Sequence, residues 1–208
     1  MEGRGCVVNY TWPDFLEECR QCKQCTLSAS RKNVVIYRGA IEAPLMIVGE
    51  GPGAHEDEQG EPFVGQAGRL LNLLLEAYCF TPNDYHICNI VKCRPPENRV
   101  PTQDEAKSCM PLLAKQIRFA KPKVIVLLGG TAYKYFLNPE ESISKARGNW
   151  IEKSKFLIMP TFHPAYILRN NRERVSLWKD IGLVREKLEE LGLMEPLSVS
   201  PDMPTGRG

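Results

Sequence analysis

No stretch of this chain runs to eighteen consecutive apolar residues, so nothing in it has the length and character of a membrane-spanning helix. Its opening residues lack a charged start followed by an apolar run, the mark of a secretion signal, and a cytoplasmic setting without membrane contact is the expectation. Excess charge is scarce as well. The 27 Lys and Arg residues stand against 25 Asp and Glu, leaving a formal charge of +2, which excludes a strongly basic nucleic-acid coat but permits a local basic face. There is no internal repeat. The nucleotide signatures are missing too: no Gly-Lys-Ser/Thr follows the glycine-rich turn, and its spacing is not G-x-G-x-x-G. Cysteine, by contrast, is plentiful at eight residues. In a reducing compartment disulfides are disfavoured, so clustered cysteines there point to a metal or cluster site.

The 208 residues, 43% of them hydrophobic, suffice for one well-buried domain. That domain is expected over residues 1–194, with roughly the first ten residues frayed and 195–208 a disordered tail. Trp12 to Gln24 reads as a short helix, and Val34 to Tyr37 as a small strand. The stretch around which the chain is organised is 45–65: a β-type run, Leu45-Met46-Ile47-Val48, then Gly49-Glu50-Gly51-Pro52-Gly53, an acidic patch, and Pro62-Phe63-Val64-Gly65. A strand that breaks into glycines at its carboxyl end is how a parallel sheet meets a ligand. Ala67, Leu70, Leu71, Leu74 and Ala77 then recur at helical spacing, an apolar stripe laid on a sheet.

Tyr85 to Val91 is a second strand, running into the basic, proline-rich loop Lys92 to Arg99. Thr102 and Glu105 suit a capping box opening a helix, in which Pro111 calls for a kink or a new start. Val124 to Leu128 and Phe156 to Pro160 are further strands, and Arg172 to Leu191 a closing helix. Strands alternating with helices imply an α/β fold built on a parallel sheet with crossovers. Glu50, Asn89 and His163 all fall at or just past strand carboxyl ends, where they can face one crevice. His55 and His86 lack that context and read as ordinary.

Cys19, Cys22 and Cys25 form two overlapping C-x2-C pairs, and Cys93 and Cys109 follow far downstream. Four thiolates suit zinc or an iron-sulfur cluster equally, and Cys19 competes with Cys22 or Cys25 for a place. Cys6, Cys79 and Cys88 have no partner at ligand spacing.

Taken in order, Cys22-x2-Cys25, GEGPG at 49–53, PFVG at 62–65, NIVKCRPP at 89–96, Cys109 and FHPAYILR at 162–169 resemble the family 4 uracil-DNA glycosylases, over about residues 19–190. The resemblance implies a three-layer α/β fold with a central four-stranded parallel sheet flanked by helices, a [4Fe-4S] cluster on Cys22, Cys25, Cys93 and Cys109, and a reaction that hydrolyses the N-glycosidic bond of deoxyuridine in DNA to release uracil. Phe63 would stack on the extruded base and Asn89 would pair with uracil N3 and O4. His163 would donate toward O2, with backbone N–H groups near Gly51 assisting. Gly51 stands where other branches carry a water-activating aspartate, so Glu50 is the candidate for placing the water. Gly53 replaces a tyrosine used elsewhere against thymine, and Glu56 is the candidate to fill that space.

For DNA, Tyr166, Ile167 and Leu168 offer a wedge and Arg169 a phosphate contact, with Lys92, Arg94, Arg99, Lys145 and Arg147 as further cations. The implied partners are uracil-containing single- or double-stranded DNA, with a sliding clamp or other repair proteins beside it, and the implied form is a monomer. Two alternatives share these residues: a zinc-bound, non-catalytic nucleic-acid module, and a related glycosylase for other deaminated bases.

Overall fold

The computed structural model describes residues 10–137, 140–199 and 201–202. In chain order the elements are α1 (Trp12–Gln21), β1 (Arg38–Gly39), β2 (Leu45–Gly49), α2 (Ala54–Gln59), α3 (Gln66–Ala77), β3 (Tyr85–Asn89) and α4 (Gln103–Ala120). They continue with β4 (Val124–Leu128), α5 (Gly129–Leu137), α6 (Ile143–Ala146), β5 (Ile151–Lys153), β6 (Phe156–Thr161), α7 (Pro164–Arg169) and α8 (Arg174–Glu190). None of the described helices is long and apolar enough to cross a membrane. The fraying expected at the amino terminus, and Cys6 with it, lies outside the described residues.

The sheet has six strands rather than the four expected, in the order β1-β3-β2-β4-β6-β5. It is also mixed. Pairings β2·β3, β2·β4 and β4·β6 are parallel, whereas β1 and β5 close the two edges antiparallel. Both edge strands are short, which is why apolar patterning hid them. Val34 to Tyr37, the expected strand, is not one. Val35 and Ile36 are buried and Val35 N–H donates to Lys92 O at 2.8 Å, but ladder pairing begins only at Arg38 and Gly39. β5 is the first arm of a hairpin whose turn is Ser154-Lys155, with Ser154 at φ 56°, a left-handed position filled without the Asn-Gly or Asp-Gly signal.

β2, β3 and β4 are buried along their whole length because helices cover both faces; β2 and β4 accordingly read as continuous apolar runs, while β3 carries His86 and Asn89. The pleat divides their side chains between two cores. Met46, Val48, Cys88, Ile125 and Leu127 pack against Phe15 of α1, Leu112 and Leu113 of α4 and Ala132 of α5. Leu45, Ile47, Ile87, Val124 and Val126 pack instead against Leu71, Leu74 and Leu75 of α3 and Ile181 and Val184 of α8. Each fully buried Leu or Ile of this kind contributes about 1.5–3 kcal/mol of transfer free energy.

Helix starts follow their side chains. Thr11 and Asp14 cap α1 reciprocally, and Thr102 and Glu105 cap α4 as expected, with Glu105 N–H donating to Thr102 Oγ1 at 3.2 Å. Arg99 grips the same Glu105 with both arms and, with the backbone of Thr102, holds its carboxyl down to about 2. Pro111 does not restart α4, which runs on as one 18-residue helix around it. The carbonyl left without a partner belongs to Lys107, on the exposed face where water can reach it. The chain at 195–197, expected to be free tail, is bonded to α8: Arg185 Nη2 donates to Glu195 O at 2.6 Å and Leu197 N–H to Glu189 Oε1 at 3.1 Å.

His86 is fully buried in the first core, stacked on Tyr37. Nδ1 faces the carbonyl of Ala40 at 2.7 Å and must donate to it, so Nε2 accepts from the Gln116 amide at 2.8 Å. A second ring proton would oppose that amide, and burial pushes the histidine down to about 4. Between its ordinary value of 6.5 and about 4, the unfolded chain takes up a proton that the folded chain refuses, so stability is lost as pH falls through that window. The expected loss from His86 alone is on the order of 3 kcal/mol. Denaturant unfolding at pH 7 and pH 4.5 measures it: His86→Gln should narrow the difference between the two, and an unchanged difference would overturn the assignment.

Candidate active site

The carboxyl ends of β2, β3 and β6 point the same way, and a cavity of about 170 Å3 opens between them. It is smaller than the roughly 300–1,000 Å3 of drug-sized ligand sites and suits one flat heterocycle. Gly51, Glu56, Phe63, Asn89 and His163 line it together with Gly53, Ala67 and Ala165. Five site residues expected from sequence are thus brought together from three separate stretches of the chain, 51–63, Asn89 and His163.

Gly49 makes room for two of them. A Cβ there would lie 2.4 Å from Asn89 Oδ1 and 2.6 Å from the Phe63 ring, both too close for any side chain. Phe63 sits in the left-handed region at φ 59°, a strained position for a bulky residue, and its ring is only 5% exposed. Its carbonyl is packed on Gly68, where a Cβ would fall 1.7 Å from Phe63 O. The ring stacks on His163 with centroids 5.7 Å apart and planes at 27°. Asn89 is 2% exposed; its backbone carbonyl accepts from Lys92 Nζ at 2.7 Å, while among the described residues its side-chain amide has no hydrogen-bond partner. An amide held at a cavity wall with both donor and acceptor unused is set up to read a ligand edge.

His163 is the N-cap of α7, and its Nδ1 accepts from Ala165 N–H at 3.1 Å. The ring proton therefore resides on Nε2. Part of the ring surface opens to the cavity although protein surrounds the residue, and this enclosure, with Arg169 reinforcing it and Glu56 opposing it, pushes the imidazole down to about 4. At neutral pH it is an uncharged donor. Glu56 is committed: Oε1 accepts from Val64 and Gly65 N–H at 3.0 and 2.8 Å, and Oε2 from Gly53 N–H at 3.1 Å. That carboxylate lies 2.8 Å from where a Gly53 Cβ would be, and so occupies the space a side chain at 53 would take.

Glu50 is the exception. It does not line the cavity, because successive residues of a strand face opposite sides and Gly49 already takes the cavity side. Its half-buried carboxylate instead lies near Tyr135, adding to the burial that raises that phenol. Ala67 and Ala165, which do line the cavity, carry no chemistry that sequence reading could have flagged.

On the other side of the loop after β3, Cys19, Cys22, Cys25, Cys93 and Cys109 line one recess. Among the described residues no three His, Cys, Asp or Glu side chains are grouped as ligands of a metal ion. The five thiols nonetheless share one recess, and four thiolates suit zinc or an iron-sulfur core. The surroundings suit negative charge. Arg31 Nη1 donates to Cys93 Sγ at 3.2 Å, and Lys92 also lines the recess. Burial pushes the Cys109 thiol up to about 11, with the Lys92 ammonium and its backbone N–H pulling the other way. Lys92 itself is 1% exposed and forms no ion pair with a carboxylate among the described residues. Leaving such a charge uncompensated costs roughly several kcal/mol.

The cations proposed for DNA divide. Arg147 is spent inside, donating through Nε at 2.9 Å to Asp180, which is fully buried and also takes the Thr161 hydroxyl. Burial raises Asp180, while Arg147 and Thr161 pull it down. Arg99 is spent on Glu105, and Arg94 Nε donates to Asn98 Oδ1 at 2.8 Å. Lys145 and Arg169 are exposed, as are Tyr166 and Leu168 at 38% and 51%, the last three on α7 directly beside His163.

A family model described as the uracil DNA glycosylase superfamily matches residues 36–182. The chain is 43% identical over 182 residues to the type-4 uracil-DNA glycosylase of Thermotoga maritima, covering 85% of this chain and 94% of that one. It is 41% identical over 181 residues to the type-4 uracil-DNA glycosylase of Saccharolobus solfataricus, covering 83% and 84%. A Bacillus phage SP01 protein named DNA polymerase is 31% identical over 153 residues, which is 73% of this chain but only 16% of that protein. Family match, relatives and cavity agree: the chain belongs to the uracil DNA glycosylase superfamily, with the type-4 uracil-DNA glycosylases as its relatives.

Proposed function

We propose that this chain is a monofunctional uracil-DNA glycosylase, hydrolysing the N-glycosidic bond of deoxyuridine in DNA to free uracil and an abasic site, the first step of base-excision repair. One observation carries the reading: Phe63, an unpartnered Asn89 amide and a neutral His163 converge on a base-sized cavity at the strand ends of a chain in this superfamily. A nucleotide must leave the DNA stack to enter such a cavity. Phe63 stacks on the extruded base. Asn89 accepts from uracil N3–H and donates to O4; cytosine presents the reverse pattern, leaving buried groups unpaired at about 1–3 kcal/mol each. His163 donates from Nε2 toward O2, where negative charge grows as the bond to the sugar breaks. Its neutrality comes from enclosure, and the Ala165 N–H fixes which nitrogen carries the proton. Glu56, filling the space beside Gly53, bars the methyl group of thymine.

Tyr166 and Leu168 enter the gap the base leaves, and Arg169 and Lys145 meet phosphates, on single- or double-stranded DNA. The enzyme acts as a monomer, and a sliding clamp or other repair proteins are candidate partners. Cys22, Cys25, Cys93 and Cys109 hold a [4Fe-4S] cluster, supported by their shared, electropositive recess. Such a cluster supplies a structural cross-link between α1, α4 and the loop after β3.

Two measurements test the proposal. A uracil-containing oligonucleotide followed by alkaline cleavage of abasic sites should report release, and His163→Ala and Asn89→Ala should each retain the fold and lose about 10²–10³-fold in rate. Full activity in both variants would show the base sits elsewhere. A panel of thymine, hypoxanthine and xanthine substrates separates this enzyme from one built for other deaminated bases. The purified protein should be brown and contain iron; a colourless, zinc-bearing protein would sink the cluster.

A further inference from the structure

The loop after β3 has one wall in each of the two recesses. Asn89 ends the strand at the base cavity, Cys93 faces the cysteine recess, and Lys92 lies between them. Lys92 could have pointed outward, as lysines do. Instead it is almost fully enclosed, lines the cysteine recess, and turns its ammonium back by three residues to donate to Asn89 O at 2.7 Å. Its main chain is fixed as well, since the Lys92 carbonyl accepts from Val35 N–H at 2.8 Å. No carboxylate among the described residues forms an ion pair with it. A buried cation without an anion is tolerated only where something else supplies the negative charge.

We infer that Lys92 is a positioning residue that couples the two recesses: its charge is balanced by the thiolate-ligated group held on the cysteines, and its hydrogen bond to the Asn89 carbonyl sets the backbone from which the base-reading amide projects. The inference rests on the proposed cluster and uracil chemistry. It goes beyond both in making the electrostatics of one recess fix the geometry of the other. Arg31, which also reaches a cysteine sulfur, is half-exposed and makes its other bond to Arg20 O, so it does not form this link.

The holoenzyme tests it with Lys92→Met, which keeps the length of the stem and removes the charge. Removing a neighbouring cation makes addition of an electron to the cluster harder, so a redox titration followed by visible absorbance or electron paramagnetic resonance should place the midpoint of Lys92→Met at a more negative potential. Uracil release should fall about tenfold in kcat/KM in the otherwise unchanged enzyme, and by much less in an Asn89→Ala background, where there is no reading amide left to misplace. An unchanged potential, or an equal loss of activity in both backgrounds, overturns the inference. If Lys92→Met accumulates with less iron per chain than the parent, Lys92→Arg should recover iron because it restores a cation; equal depletion in both variants also overturns it. A parent protein without iron would refute the cluster instead, and one with iron but no uracil release would refute the glycosylase reading.

Discussion

At the end of β2 the backbone comes so close to its neighbours that no side chain fits, and this approach at Gly49 is the constraint on which the cavity depends. Asn89 Oδ1 and the Phe63 ring fill the volume that a Cβ would claim. The parallel ladder puts Gly49 directly beside Asn89, so β2 provides the space and β3 the amide. Phe63 reaches the same space only by adopting a left-handed backbone, a conformation held by its carbonyl's contact with Gly68 and by the three amide bonds with which Glu56 ties the loop together. The glycines are therefore not signs of flexibility. They allow bulkier neighbours to be rigid, as a site built on preorganised donors and acceptors requires.

Charge in this protein is used at two depths. Arg147 and Lys92 are drawn inward, where one satisfies a carboxylate and the other a carbonyl beside a thiol-lined recess, while Arg99 stays exposed and is taken up by Glu105. Lys145 and Arg169 are among the cations left at the surface, where the proposed phosphate contacts have to come from. A net charge of just +2 is compatible with a superfamily named for DNA glycosylases, because a local group of exposed cations can act where the total charge is small. Enclosure has the opposite effect on the histidines. His86 and His163 are both pushed down to about 4, one to serve as a neutral link in the core and the other as a neutral donor at the cavity.

Much of the architecture was legible because it follows periodicity. Leucines at helical spacing gave α3, continuous apolar runs gave β2 and β4, and the Thr102-Glu105 pair gave the start of α4. Elements stabilised by something other than their own pattern were missed. β1 is two residues paired on a neighbour, β5 depends on a hairpin whose turn lacks the usual residues, and Val34 to Tyr37 is apolar because it is packed, not because it is paired. Pro111 stays within one helix because the carbonyl it deprives faces solvent.

The sequence by itself determined the α/β class, the superfamily blocks and which residue types had to meet, since hydrophobic period and motif order are properties of a line of residues. It could not determine direction. Whether Glu50 or Gly49 turns toward the cavity is decided by the pleat of a paired strand, and whether Arg147 meets DNA or Asp180 is decided by a helix 33 residues away. Whether Lys92 points to water or to Asn89 is likewise decided by what encloses it. Only tertiary structure settles these, because each depends on the free energy of burying a polar group against partners that are distant in the chain.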